Sequence, residues 1–457
     1  MRLKANRITL AMCSMCALSL HGTAHATDVF RLEGYGPVSR AMGGTATAHD
    51  VGAAALMANP ATLRMMSGSA LHFGVDVVKA DIKVGNRTTG ELASSDSRSK
   101  NRGPYVAPEL AFVLRSGALT YGVGAFAQGG LGTEYGSDSF LSRTVSGNAT
   151  GLGMSSRLLV VDIPLAVSFA VNERLSIGAS VNAMWTGLNL DLLFSGDQVG
   201  ALAGAGRVRG SLMGVIAGLP QFDGAHVSFS RGHPLSSGAD AWGVGGRIGA
   251  TYRVGANTTI GASYNFKSRL SDLEGQATVT AVDRLVGKVP LPGAVSVRDF
   301  QMPAVLSLGI GHRLGQQWLL TADLSHVAWK KAMKDIKVGF VADAGTLELF
   351  LPQEYQDQTI LALGAAYSSG SWTYRAGARI ASQALRPGLV FAVIPATPRK
   401  HLSGGISYAL QGGGRIDAAY SHAFKETLVN PGVPNTSAPI GVANSQNNVA
   451  VSYTHSF

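Results

Sequence analysis

Residues 175 to 185 read LSIGASVNAMW, and they place Leu175, Ile177, Ala179, Val181, Ala183 and Trp185 on one side. Ser176, Gly178, Ser180 and Asn182 fall on the other. A helix turns once every 3.6 residues and cannot hold such a pattern on one face, whereas an extended strand holds it along its whole length. The same alternation returns in PAVLSLGIGHRL, with Leu306, Leu308 and Ile310 on the apolar side. In WTYRAGARIAS it sets Trp372, Tyr374, Ala376, Ala378 and Ile380 against Arg375, Gly377 and Arg379. The chain is 46% hydrophobic and holds 58 glycines, yet no apolar run reaches the roughly 20 residues of a membrane helix. The fold class that follows is all-β.

The first residues carry Arg2, Lys4 and Arg7, then thirteen uncharged residues from Ile8 to Leu20, then Ala24-His25-Ala26. That is the order of a secretory signal peptide, so residues 1–26 are expected to be removed and the mature chain to start at Thr27. Thirteen residues are too few to span a bilayer. Both cysteines, Cys13 and Cys16, lie in this leader, which leaves the mature chain no thiol, disulfide or cysteine metal site. Losing the leader lowers the formal charge from +10 to +7, with the basic residues scattered, so no nucleic-acid partner is indicated.

Alternation alone fits a secreted sandwich or an outer-membrane barrel, since either buries one face. Three features favour the barrel. Aromatic residues (Trp185, Trp318, Trp329, Trp372, Tyr252, Tyr264, Tyr367, Tyr408, Tyr420 and Tyr453) fall mostly near strand ends, where interfacial girdles stand. Tight turns at 171–174, 254–257, 315–317, 369–371 and 411–414 alternate with long segments around 84–104, 130–156, 194–238, 268–296, 339–354, 383–398 and 425–443. The chain also ends on a strand with Val449, Val451, Tyr453 and Phe457 on one face. Strands are expected in pairs from about 69 and 107, 118 and 157, 175 and 240, 258 and 298, 318 and 355, 372 and 399, and 415 and 445, or about fourteen.

Residues 27–68 precede the first strand and do not alternate. Forty-two residues rich in small side chains suit a plug within a wide lumen, ahead of a barrel over 69–457. Pro60 ends any helix at Ala58 or Asn59, and the Asn59 side chain can hold the turn through bonds to backbone.

EGYGPVSRAMGG followed by GAAALMANPATL resembles the N-terminal hatch of the FadL/TodX family of outer-membrane hydrophobic-compound transporters. MPAVLSLGIGHRL, WLLTADLSHVAW, TILALGAAY, WTYRAGARI and HLSGGISYAL extend the resemblance over the mature chain. GYGPVSRAMGG looks more like the branch for toluene and related monoaromatic hydrocarbons than the branch for long-chain fatty acids. The resemblance implies a hatch held by Asn59, Pro60 and Ala61, and capture by an external groove. Transfer to a pocket above the hatch and sideways release through the wall would follow. Phe30, Leu32 and Tyr35 match the hatch terminus that the family sets beside its ligand, or serve packing within the hatch. Leu212, Met213, Val215, Ile216, Leu219 and Phe222 are apolar on what should be a wet loop and are candidates for the capture groove, or for a small cluster beneath the loop. Gly122, Gly124, Gly129, Gly130 and Gly132 on the third strand are candidates for a kink that opens the wall, or are ordinary lumen-facing glycines beside the plug.

Other chemistries find less support. There is no phosphate-cradling loop, and GVGGRIG at 243–249 has the wrong spacing for a dinucleotide fingerprint, so transport is expected to be passive and without a cofactor. His226 and Ser228 share a strand face and resemble the His-x-Ser element of the outer-membrane phospholipases, but Phe229 stands where those enzymes carry Asn. No catalytic residue and no metal ligand are assigned. A general porin would need an open, charged lumen without a plug. Arg375 and Arg379 could pair a fatty-acid carboxylate or serve a structural ion network. The expected partners are a small hydrophobic ligand and the lipid and lipopolysaccharide of a Gram-negative outer membrane, with a monomer as the default.

Overall fold

The computed structural model describes residues 29–95, 104–144, 146–231 and 236–457. The expected leader, with Cys13, Cys16 and the cut before Thr27, lies outside the described residues.

Among the described residues a single 22-stranded sheet accounts for the strands. Fourteen of them close a ring: β1 Ala70–Asn86, β2 Tyr105–Ser116, β3 Leu119–Glu134, β4 Ser155–Ala170, β5 Leu175–Ser195, β6 Ala239–Arg253, β7 Thr258–Asn265, β8 Val305–Leu314, β9 Trp318–Val327, β10 Gln358–Ser369, β11 Trp372–Ala381, β12 Lys400–Ala409, β13 Gly414–Asn430 and β14 Ile440–Ser456. Each pairs antiparallel with the next. β14 then returns to β1 from Ala70↔Ser456 to Asn86↔Ile440, so every wall strand has two neighbours and the ring is closed.

The other eight strands build up the long connections. Leu273–Asp283 pairs with Gly287–Arg298 and Asp335–Ala342 with Gly345–Pro352, so segments that read as loops are hairpins standing beyond the wall. This is why β8 starts at Val305 rather than near 298. The alternation that ends at Arg298 belongs to an external hairpin, and residues 299–304, which include Pro303, carry no strand. Residues 383–398 also depart from a wet loop. Val390, Phe391, Ala392, Val393, Ile394 and Ala396 are all buried, and the segment folds into the barrel mouth. Its backbone is tied there by Tyr135 Oη to Ala392 O at 2.5 Å and Ser156 Oγ to Val393 O at 2.7 Å.

Burial settles which face meets lipid. Val181 is 70% exposed while its neighbour Asn182 is 1% exposed, the inverse of a soluble sandwich. Leu306, Leu308, Leu363, Ile406, Val449 and Val451 likewise face outward. At the short-turn end Trp318 packs on Tyr367 (4.9 Å between ring centroids) and Trp372 on Tyr408 (4.6 Å), as an interfacial girdle does. Trp329 does not belong to that girdle: it is fully buried among lumen-side aromatics.

Residues 29–68 form one short α-helix, Gly36–Ala41, and two 3-10 turns, Gly52–Met57 and Pro60–Met65. They touch strands all around the ring, which places them inside it. Gly377 on β11 leaves no room for a Cβ against Gly43, Gly249 on β6 none against Asn59, and Gly129 on β3 none against Phe30. Several wall glycines thus mark where the plug presses on the wall.

Candidate functional site

Asn59 joins plug to wall. Its Oδ1 accepts from Ala61 N at 3.1 Å and caps the turn that Pro60 opens. Its Nδ2 donates to Thr47 O at 2.7 Å and to Ala250 O of β6 at 3.3 Å. Gly178 on β5 admits the Pro60-Ala61 backbone where a side chain would clash. The Asp323 carboxylate of β9 accepts from Ala46 N at 2.8 Å, Thr47 N at 3.0 Å and Thr47 Oγ1 at 2.7 Å.

A buried ionic knot holds the front of the plug. Arg40 pairs with Glu33 at 2.9 Å and with Asp76 of β1 at 2.5 Å. Glu33 also takes hydrogen bonds from Ser421 and Asn448 and lies 3.4 Å from His401. Burial by itself would raise the Glu33 carboxyl, but the Arg40 charge, His401 and the two hydrogen bonds outweigh it and hold the group down to about 2. Sequence reading missed this knot, because Glu33 and Arg40 are single charges with no periodicity to mark them.

The three residues expected at the ligand divide between two apolar clusters. Phe30 sits at the centre of an aromatic group: edge-on to Trp329 at 5.6 Å, with Tyr355 at 6.2 Å and Phe300 at 6.3 Å between ring centroids. This group belongs to the large apolar cluster that fills the outer lumen and includes Met302, Phe391 and Val393. Tyr35 belongs instead to the plug's own core with Leu56, Met57 and Phe126, and Leu32 packs against that core. Phe300 and Tyr355 were not singled out from sequence, and Trp329 was read there as a girdle residue rather than as part of this group. Phe300 comes from the connection between β7 and β8, and Trp329 and Tyr355 from the two ends of the connection between β9 and β10, which only the folded barrel brings together.

Beside Phe30 the wall is broken. Pairing between β2 and β3 stops at Glu109↔Phe126, and β3 shifts register against β4 between Ala127 and Gly129. Gln128 is the extra residue of this bulge, and the plug caps it. Tyr35 Oη donates to Gln128 O at 3.1 Å, Leu32 N to the same oxygen at 3.3 Å, and Gly130 N to Phe30 O at 2.7 Å. Arg31 and Gly129 form an isolated antiparallel bridge. Gly122 and Gly124 lie in the regular ladder opposite Val113 and Ala111, so of the five expected kink glycines Gly129 adjoins the irregularity and Gly130 follows it. Gly132 lies farther on, where the Tyr105 ring occupies the space a side chain would need.

The expected capture groove is a short helix, Leu212–Ala217, followed by a strand that starts at Phe222. Leu212 and Ile216 point down and are buried, Met213 and Phe222 pack against the outer-lumen cluster, and Val215 is exposed. Arg375 donates to Ser407, which bonds Asp417, and Asp417 pairs with Arg415 at 2.9 Å. Arg379 lines a cavity of about 60 Å3 between plug and wall together with Leu32, Tyr35 and Asp323. His226 bonds Gly153 O at 3.0 Å, while the Ser228 hydroxyl donates to Asp191 at 2.6 Å rather than to His226. A nucleophile needs its base within hydrogen-bond reach, and this serine has a carboxylate there in place of the histidine.

Residues 17–456 match the family model for outer membrane protein transport protein (OMPP1/FadL/TodX). Among solved structures, the Ralstonia pickettii toluene transporter TbuX is 44% identical, covers 93% of this chain and 99% of its own, and superposes with a TM-score of 0.79. The Pseudomonas putida toluene transporter TodX is 40% identical over 94% of this chain and 100% of its own, with a TM-score of 0.83. A long-chain fatty acid transport protein of Escherichia coli is 22% identical over 388 residues, which is 80% of either chain.

Proposed function

This chain belongs to the outer membrane protein transport protein family (OMPP1/FadL/TodX), is an outer-membrane β-barrel, and on that footing we propose that it admits monoaromatic hydrocarbons of the size of toluene, passively and by a sideways exit. The observation that carries the reading is the bulge at Gln128 beside the aromatic group of Phe30, Phe300, Trp329 and Tyr355. An apolar solute crosses the hydrated, charged lipopolysaccharide layer slowly, and a water-filled pore offers it no favourable contact. An aromatic-lined site does, because ring edges and faces attract one another beyond the area they bury.

In this reading a solute lands at the exposed Val215, beside the half-buried Leu219 and Phe222 and over Leu212, Met213 and Ile216. It moves inward along the apolar outer lumen and lodges against the Phe30 group. Release of Leu32 and Tyr35 from Gln128 uncovers the break between β2 and β3, and the solute leaves into the hydrocarbon of the membrane. Asn59, Pro60 and Ala61 hold the rest of the plug in place meanwhile. The substrate class draws support from the 40% and 44% identity to toluene transporters. The Arg375 guanidinium donates to Ser407, which bonds Asp417, as the structural ion-network alternative expects.

Uptake of radiolabelled toluene and of radiolabelled oleate, each at low external concentration, tests this in cells that lack their own transporters and express the chain. Faster toluene uptake with unchanged oleate uptake is expected. The reverse result would move the assignment to fatty acids, and no gain in either would overturn the transport reading.

A further inference from the structure

A groove of about 1010 Å3 lies on the outside of the barrel at the long-connection end, separate from the lumen path. Its floor carries Val181, Val244, Tyr264 and Phe266, all exposed and on the lipid-facing side. Its rim carries Lys267, Arg269, Lys331 and Lys334 from two connections that meet only in the fold. Two other charged pairs at the rim are already matched: Lys337 with Asp299, and Asp335 with Arg207 at 2.9 Å. Among the described residues no carboxylate forms an ion pair with Arg269, Lys331 or Lys334, and Lys267 shares the field of Asp299, which is itself paired with Lys337. Lys267 is held in place by donating to Lys331 O at 2.6 Å. Four like charges around one cavity repel one another, and a counter-anion relieves that repulsion.

Height along the barrel indicates which anion. The tight turns and their aromatic girdle mark the opposite rim, so this groove stands at the outer-leaflet interface, with apolar wall directly below it and cations above. We infer that the groove holds the lipid A part of one lipopolysaccharide molecule. Its sugar-linked phosphates bind Lys267, Arg269, Lys331 and Lys334, and an acyl chain lies along Val181, Val244 and Phe266. A free phosphate would leave the apolar floor unexplained, and a neutral lipid would leave the rim charges unmatched. The inference rests on the outer-membrane location alone and not on the transported substrate.

The test purifies the full chain from outer membranes in mild detergent, measures the lipopolysaccharide retained, and titrates wild type with lipid A, dephosphorylated lipid A and phosphatidylglycerol vesicles. Wild type should retain stoichiometric lipopolysaccharide. K267E/K331E/K334E should bind lipid A about tenfold more weakly or worse, and so should wild type offered dephosphorylated lipid A. R253E/R313E, at the opposite rim, should bind as wild type does. Toluene uptake by K267E/K331E/K334E should persist, so a failure of the substrate reading is seen separately. Equal lipid A binding by wild type and K267E/K331E/K334E, or equal affinity for dephosphorylated lipid A or for phosphatidylglycerol, would overturn the assignment. If the triple reversal does not fold, K331A/K334A reads the same binding, and the dephosphorylated ligand needs no variant.

Discussion

Asn59 concentrates several contacts in one short side chain: one cap within the plug, one bond to Thr47 O and one to the Ala250 carbonyl of the wall. Asn59→Ala leaves those partners unsatisfied where water does not reach, at a cost of about 1–3 kcal/mol. Hydrogen exchange should therefore speed up over residues 45–66 while the wall strands keep their protection; uniform protection would mean that Pro60 alone holds the turn. Glu33 makes a prediction about acid. Its folded pKa of about 2 lies below its ordinary value of 4.5, so its contribution is present in full above about 4.5 and is lost as pH falls through about 2. Denaturant midpoints, followed by tryptophan fluorescence in detergent, should fall across that window in wild type and change less in Glu33→Gln. Asn59 was readable in sequence because Asn-Pro is a local turn signal. The Glu33 knot was not, since its partners Asp76, His401, Ser421 and Asn448 come from four different strands.

At the scale of elements, β3 carries the feature that distinguishes this wall from a plain barrel. One extra residue, Gln128, shifts the register against β4 and ends pairing with β2. Deleting Gln128 should let the ladder run through and lower toluene uptake by about tenfold or more while the barrel still assembles. Unchanged uptake with a straightened strand, seen by hydrogen exchange at residues 127–134, would remove the sideways route. The glycines of this strand pointed to the region in sequence, but glycine is so common here that it could not pick out the residue. What picks it out is the count of residues between fixed ladder positions on two neighbouring strands. The helix Leu212–Ala217 shows the same limit: its apolar residues were legible, whereas which of them face down was set by the cluster beneath.

For the molecule as a whole, a ring of fourteen wall strands encloses a plug that touches the wall all round. Such a barrel should not conduct small polar solutes. Vesicles carrying wild type should show no swelling in arabinose above protein-free vesicles, while a chain lacking residues 27–68 should swell them. Swelling by wild type would favour a porin.

Period-two alternation, the turn rhythm and the terminal strand determined from sequence alone that this chain is an antiparallel barrel, because each is a local property of an extended backbone. The position of each strand start followed to within a few residues wherever a tight turn adjoined it, and failed near 298, where an external hairpin alternates just as a wall strand does. The tertiary structure decided the rest. It turned the apolar face outward, drew residues 383–398 into the mouth, gathered Phe30, Phe300, Trp329 and Tyr355, and set four cations around one groove. Those outcomes depend on which distant segments meet when the ring closes, and closure is a property of all the strands together, not of any stretch along the chain.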